Sequence, residues 1–319
     1  MGRFHINPEP TTIMPCSNCL HFLLIPVVIF CSSTFGFAQE TVEGKILSAA
    51  THQPVSYASV SFLHGTRGTN ADENGSFTLQ RLAGRTYDSL LVSCVGFSDT
   101  IFCLKNANAG NSFYLREHIS LLDPMVLESK AYERETKLAR IRSSNFSRAG
   151  DAGSEIAQRL YAPFPNCRVS RLRIGLGGLE FHDRIFEVRF YAVDSITGKP
   201  GTMLCDKPIL LHTRGKSKPL LDLNEYRIVL PQGPFFISFG WLDIEQNRKP
   251  TTYTMEGSKE KHHIIEIRPF FETKEIPAYG IFQKSPTELY FRNVGQQWFP
   301  EFPFKKNNSS INMSLSFRY

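Results

Sequence analysis

The chain has 319 residues, 41% hydrophobic, 12% aromatic and 21% charged, with 36 Lys and Arg against 30 Asp and Glu for a formal charge of +6. That length accommodates two ordinary domains, and so low a charged fraction argues against wholesale disorder. The 26 Phe lean towards β-structure, and the mild positive charge falls in short runs such as Arg168–Arg173, which alternate with other residues as on the solvated face of a strand. No nucleic-acid motif accompanies these runs, so nucleic acid is not an expected partner.

In chain order, the first element is an export signal. Leu20–Phe30 is an apolar core of signal-peptide length, too short to cross a bilayer comfortably, and Gly36-Phe37-Ala38 puts small residues where signal peptidase reads. Residues 1–38 are therefore expected to be a signal peptide, cleaved after Ala38 to leave Gln39 first. Met14 is an alternative start, and Cys31 lacks the context of a lipoprotein signal. No later run is long and apolar enough for a transmembrane helix. Cys94, Cys103, Cys167 and Cys205 remain after cleavage. A bridge between Cys94 and Cys103 and two buried small apolar side chains are both open readings. No Cys-x-x-Cys pair remains to build a thiolate zinc site.

The stretch Thr41–Leu115 carries the clearest pattern. Gly44-Lys45-Ile46 opens a strand, and Pro54–Val60 follows a polar turn. Gly65–Leu79 contains the turn signal Asp72-Glu73-Asn74-Gly75, read as a hairpin because Asn-Gly accepts positive φ. Leu90–Phe97 follows, with a bend at Gly96, and Asn111–Leu115 closes the set. Val42, Ile46, Ala58, Val60, Phe62, Phe77 and Leu79 fit period-two strands. This stretch resembles the carboxypeptidase regulatory-like domain, a transthyretin-like β-sandwich common at the N-termini of Gram-negative envelope proteins. The resemblance implies a sandwich of about seven strands over residues 39–117 that serves as a structural and binding module without peptidase chemistry. It also implies a periplasmic or outer-membrane-associated location.

Residues 118–152 read as a charged linker. A second β-domain is expected over 153–319, with strands at Val169–Ile174, Ile185–Val193, Ile209–Leu211, Tyr226–Leu230, Phe235–Leu242, His263–Ile267, Leu289–Phe291 and Ile311–Tyr319. On Ile185–Val193, Phe186, Val188, Phe190 and Ala192 share one face, and Glu187, Arg189 and Tyr191 the other. The expected fold is all-β: an N-terminal transthyretin-like sandwich followed by a jelly-roll-like sandwich. The second half resembles a poorly characterised C-terminal sandwich found behind regulatory-like domains, which implies no reaction.

No assembled reactive centre is legible. His263-Ile264-Ile265-Glu266 has the first spacing of a zinc carboxypeptidase, but no later His supplies the next ligand, and on a strand His263 and Glu266 point to opposite faces. Asn70–Gly75 echoes half a calcium loop, with Arg81 at the position that needs an acid. Gly175-Leu176-Gly177-Gly178 lacks the Lys-Ser/Thr ending of a phosphate loop and reads as a tight turn. Glu180, Asp183 and Glu187 are close in sequence, which alone does not pair them. No catalytic residue, metal or cofactor is expected. The candidate ligand-binding residues are Trp298, Phe299 and Phe302, aromatics in a proline-interrupted segment unsuited to a core strand. The function read from the sequence is a non-enzymatic exported envelope protein that binds a glycan, a peptide or a partner protein. The alternatives are an accessory subunit of an outer-membrane transport or surface assembly, and a hydrolase with an unrecognised site.

Overall fold

Alternation builds the first half of the fold. Val42 and Ile46 point inward from β1 (Thr41–Ser48), while Thr41, Glu43 and Lys45 face out. In this computed structural model the described residues are 41–66, 68–82, 84–104, 111–118, 135–138, 146–150, 153–177, 183–254, 259–276, 289–293, 297–300 and 308–318. The expected signal peptide and Phe302 lie outside them.

After β1 come β2 (Ser59–Phe62), β3 (Gly68–Asn70), β4 (Ser76–Gln80), β5 (Ser89–Ser93), β6 (Thr100–Cys103) and β7 (Asn111–Leu115). They form a three-stranded sheet, β4-β1-β7, facing a four-stranded sheet, β3-β2-β5-β6. Ile46, Val60, Leu90, Val92 and Leu115 are wholly buried between the two. The Asp72–Gly75 turn is not a hairpin, because it carries the chain from one sheet to the other. Asp72 Oδ1 accepts the backbone N–H groups of Asn74 and Ser76, each at 2.8 Å. Gly75 has φ +76°, and a Cβ there would lie 2.5 Å from the Ile46 carbonyl oxygen, so the position requires glycine.

The remaining strands are β8 (Glu135–Leu138), β9 (Phe146–Gly150), β10 (Glu155–Tyr161), β11 (Arg168–Ile174), β12 (Leu176–Gly177), β13 (Ile185–Val193), β14 (Pro200–Met203), β15 (Ile209–His212) and β16 (Leu220–Asp222). They continue with β17 (Pro234–Trp241), β18 (Arg248–Thr254), β19 (Lys261–Ile276), β20 (Leu289–Arg292), β21 (Phe299–Pro300), β22 (Asn308–Ile311) and β23 (Met313–Arg318). The large sheet runs β14-β13-β17-β10-β20-β21, with β15 also on β13. A second sheet runs β16-β11-β23-β8. Phe186, Phe190, Phe239 and Trp241 from the large sheet share one core with Leu172 and Phe317 from the second. A third sheet gathers β12, β18, β9 and β22 around the long β19.

The all-β sandwich reading holds, and no α-helix occurs among the described residues. Other details differ as well. Within the segment read as a linker, β8 pairs with β23 and β9 with β19. Tyr226–Leu230 is not a strand: a 3-10 turn spans Asn224–Tyr226 and Arg227 takes a left-handed φ of 50°. The Gly175 region is not a tight turn, because Leu176 and Gly177 pair with β19. Cys94 and Cys103 are unbridged, as are Cys167 and Cys205. Cys103 pairs in register with Ser89, so Cys94 lies at the other end of the β5–β6 pair, about 17 Å along the strand. No helix among the described residues is long and apolar enough to cross a membrane, which says nothing of a β-barrel.

Candidate functional site at the seam between the sandwiches

The outer face of the large sheet is charged yet buried. Strand alternation turns Ile185, Glu187, Arg189 and Tyr191 of β13 away from the core that holds Phe186, Val188 and Phe190. Register then lays the neighbours beside them. Gly240 of β17 separates Glu187 from Glu155 of β10, and Arg292 of β20 stands on the far side of Glu155. In the next row Arg189 meets Ser238, and Ala157 follows it. The small residues Gly240, Ser238 and Ala157 leave space for long side chains to reach across the strands.

Glu155 is the centre of this arrangement, with its side chain 5% exposed. Its Oε2 accepts from Arg189 at 3.0 Å and from Arg292 Nε at 2.8 Å. Its Oε1 accepts from the Tyr191 hydroxyl at 2.9 Å and from the Ser238 hydroxyl. Arg189 also pairs with Glu187 at 2.5 Å, and Arg292 donates to the Tyr191 oxygen at 2.9 Å. Burial alone would raise the Glu155 carboxyl, but the guanidiniums of Arg292 and Arg189 and the hydroxyl of Ser238 bring it down to about 2. Burial pushes the Tyr191 hydroxyl up to about 12, with Arg292 opposing and Glu155 adding to it. Both oxygens of the Glu155 carboxylate are thus engaged, which suits a structural charge cluster better than a general base.

The N-terminal sandwich lies against this face. Tyr57 packs on the patch formed by Ile185, Leu242 and Ile244. Asn70 Oδ1 accepts the Asp243 N–H at 2.9 Å, and Asn70 Nδ2 donates to the Tyr57 carbonyl and Ser59 Oγ, each at 3.2 Å. Thr69 Oγ1 donates to Asp243 Oδ2 at 3.3 Å, and Arg248 holds the other oxygen of Asp243 at 2.8 Å. The Cys94 thiol, within electrostatic reach of Glu187 and Arg189, is pushed up to about 12, mainly by burial, and is not a ready nucleophile. Burial also raises the Asp99 carboxyl, against the pull of Arg292 and Arg189.

Beside these contacts an open cleft of about 490 Å³ lies between the two sandwiches. Glu43, Lys45 and Thr78 line it from the first, and Asp243, Glu245 and Arg248 from the second. Charges of both signs and hydrogen-bonding groups suit a hydroxyl- or amide-rich ligand rather than an apolar one. Among the described residues no group of three His, Cys, Asp or Glu is placed to hold a metal ion. His263 bonds Thr252 and Glu266 accepts from Thr251, each as a cross-strand contact at 3.0 Å on the β18–β19 pair. Asn70, the first residue of the calcium-like run, has its amide oxygen engaged by Asp243 across the seam and its amide nitrogen by Tyr57 and Ser59 of its own sandwich.

The aromatic candidates separate. Trp298 is buried, 8% exposed, against Tyr191, Phe236 and Ala157, with the Arg292 guanidinium 4.6 Å above its ring. Phe299 is 42% exposed and stacks on Phe291 at 6.5 Å. Trp298 therefore roofs the charge cluster, and only Phe299 of the pair offers a free face. The residues of the seam were not legible as a set. Their one sequence signal is the polar alternation of Glu187, Arg189 and Tyr191 opposite small residues on other strands.

No curated protein matches the chain. Residues 42–127, which include the first sandwich, match the sequence model of the CarboxypepD_reg-like domain, a regulatory, non-catalytic β-sandwich module.

Proposed function

We propose that the protein is an exported, non-enzymatic component of a bacterial envelope, in which the regulatory-like sandwich is docked on the second sandwich and a glycan or peptide binds in the cleft between them. The observation that carries this reading is the division of labour at the seam. The buried charges around Glu155 are consumed by one another, whereas Glu43 and Lys45 at the cleft are exposed. A binding cleft needs the second kind of group and a catalytic centre needs a free member of the first. The test is a glycan and peptide array probed with the purified protein, followed by titration calorimetry on the hits. Lys45→Ala and Glu43→Gln should each weaken a genuine hit about tenfold, a loss of one charge-assisted hydrogen bond. Hits that bind both variants as tightly as the parent, or an array without hits, would remove the cleft as the binding site.

A further inference from the structure

The large sheet carries the seam on its outer face, whereas on the second sheet of the same sandwich, β16-β11-β23-β8, the outward residues Arg171, Arg173, Leu220 and Arg318 are exposed among the described residues. Alternation along β11 buries Val169, Leu172 and Ile174 and turns Arg171 and Arg173 outward. Register sets Asp222 of β16 and Ser316 of β23 beside Arg171, and Leu220 and Ser314 beside Arg173. Arg168 and Arg318 pair at the end of the same face, where Arg318 also stands in register with Glu135 of β8. The loop from β15 to β16 adds Arg214, Lys216 and Lys218, all exposed. It is pinned beside the end of β11 by the Leu176 N–H, which donates to the Ser217 carbonyl at 2.8 Å. Two of the neighbouring acids, Asp222 and Asp183, are engaged within the fold. Asp222 is held below the usual carboxylate range, first by the backbone N–H of Asn224 and also by Arg171 and Arg318. Asp183 accepts the Arg214 backbone N–H at 2.6 Å and pairs with His212.

We propose that this cationic face docks on the phosphate-bearing surface of an anionic lipid bilayer. Two observations select a bilayer over a soluble polyanion. On the sheet, outward side chains stand about 7 Å apart along a strand and about 5 Å apart between strands, so the strand cations Arg171 and Arg173 project to the same side together. Leu220, 53% exposed, stands on that side next to Arg173, where an interfacial surface gains from an apolar side chain and a purely ionic partner does not. The proposal takes its setting from the envelope reading above, but its chemistry is independent of any ligand in the cleft.

The experiment is co-sedimentation of the purified protein with vesicles of phosphatidylethanolamine and phosphatidylglycerol, against vesicles of phosphatidylcholine alone. The parent should sediment with the anionic vesicles only, and salt at about 1 M should release it. Arg173→Ala combined with Lys216→Ala and Lys218→Ala should lower the partition roughly a hundredfold, about fivefold for each cation removed. Leu220→Ser should weaken it several-fold without changing charge. Thermal denaturation checks that each variant is folded, and Lys45→Ala, on the cleft, should sediment like the parent. Equal binding to both vesicle types, no binding to either, or binding to heparin with none to vesicles would overturn the proposal. A cleft ligand lost in Lys45→Ala would stand in each of those cases, so the two readings fail separately.

Discussion

Glu155 and Arg292 stand opposite each other on β10 and β20, 137 positions apart in the chain, with Arg292 Nε 2.8 Å from Glu155 Oε2. Arg189 completes the neutralisation from β13, on the other side of β17. Replacing Glu155 by Gln keeps the shape and removes the charge, leaving two guanidiniums with a neutral acceptor. The expected cost is about 3–5 kcal/mol of unfolding free energy, the scale for breaking a buried ion pair from one side. Urea denaturation of Glu155→Gln against the parent measures it.

The same carboxyl sets an acid limit. Its ordinary value is 4.5 and its folded value about 2. The folded pKa is depressed, so as the pH falls the unfolded chain takes up the proton first. The stabilisation is fully present above about 4.5 and is lost progressively as the pH falls to about 2. The difference is on the order of 3 kcal/mol. Unfolding free energies measured across that range should drop in the parent, and the drop should be smaller by this amount in Glu155→Gln.

Asn70 joins the sandwiches through one amide. Asn70→Ala leaves the Asp243 N–H and the Tyr57 carbonyl without this partner, at an expected cost of about 1–3 kcal/mol. The loss falls on the seam rather than on either core. Limited proteolysis should therefore cut Asn70→Ala faster than the parent near the contacts of Tyr57 and Asp243.

The apolar side of each strand was legible, and the fate of the polar side was not. Period-two alternation placed Phe186, Val188 and Phe190 in the core correctly. It equally placed Glu187, Arg189 and Tyr191 on the opposite face, but alternation does not say whether that face meets water or another domain. The sequence signal that could have spoken is the small set Ala157, Ser238 and Gly240, and those residues come together only through pairings that no local window contains. Glu155–Tyr161 escaped notice for the same reason, since a strand buried on both faces with Glu155 and Gln158 inside does not alternate. The Asp72–Gly75 turn was recognised by its residues, yet turn chemistry does not reveal which sheet the next strand joins.

The two aromatics named from the sequence should behave oppositely. Trp298→Ala removes the roof over Arg292 and Tyr191, and should cost about 3–5 kcal/mol. Phe299→Ala, at an exposed position, should stay within about 0.5 kcal/mol of the parent. Thermal denaturation of both variants separates a structural side chain from a surface one.

The seam itself is tested most directly by differential scanning calorimetry of the purified protein. Docked sandwiches should unfold together in one transition, and Asn70→Ala should lower its midpoint or split it in two. Two independent transitions in the parent, both unmoved by Asn70→Ala, would contradict the account.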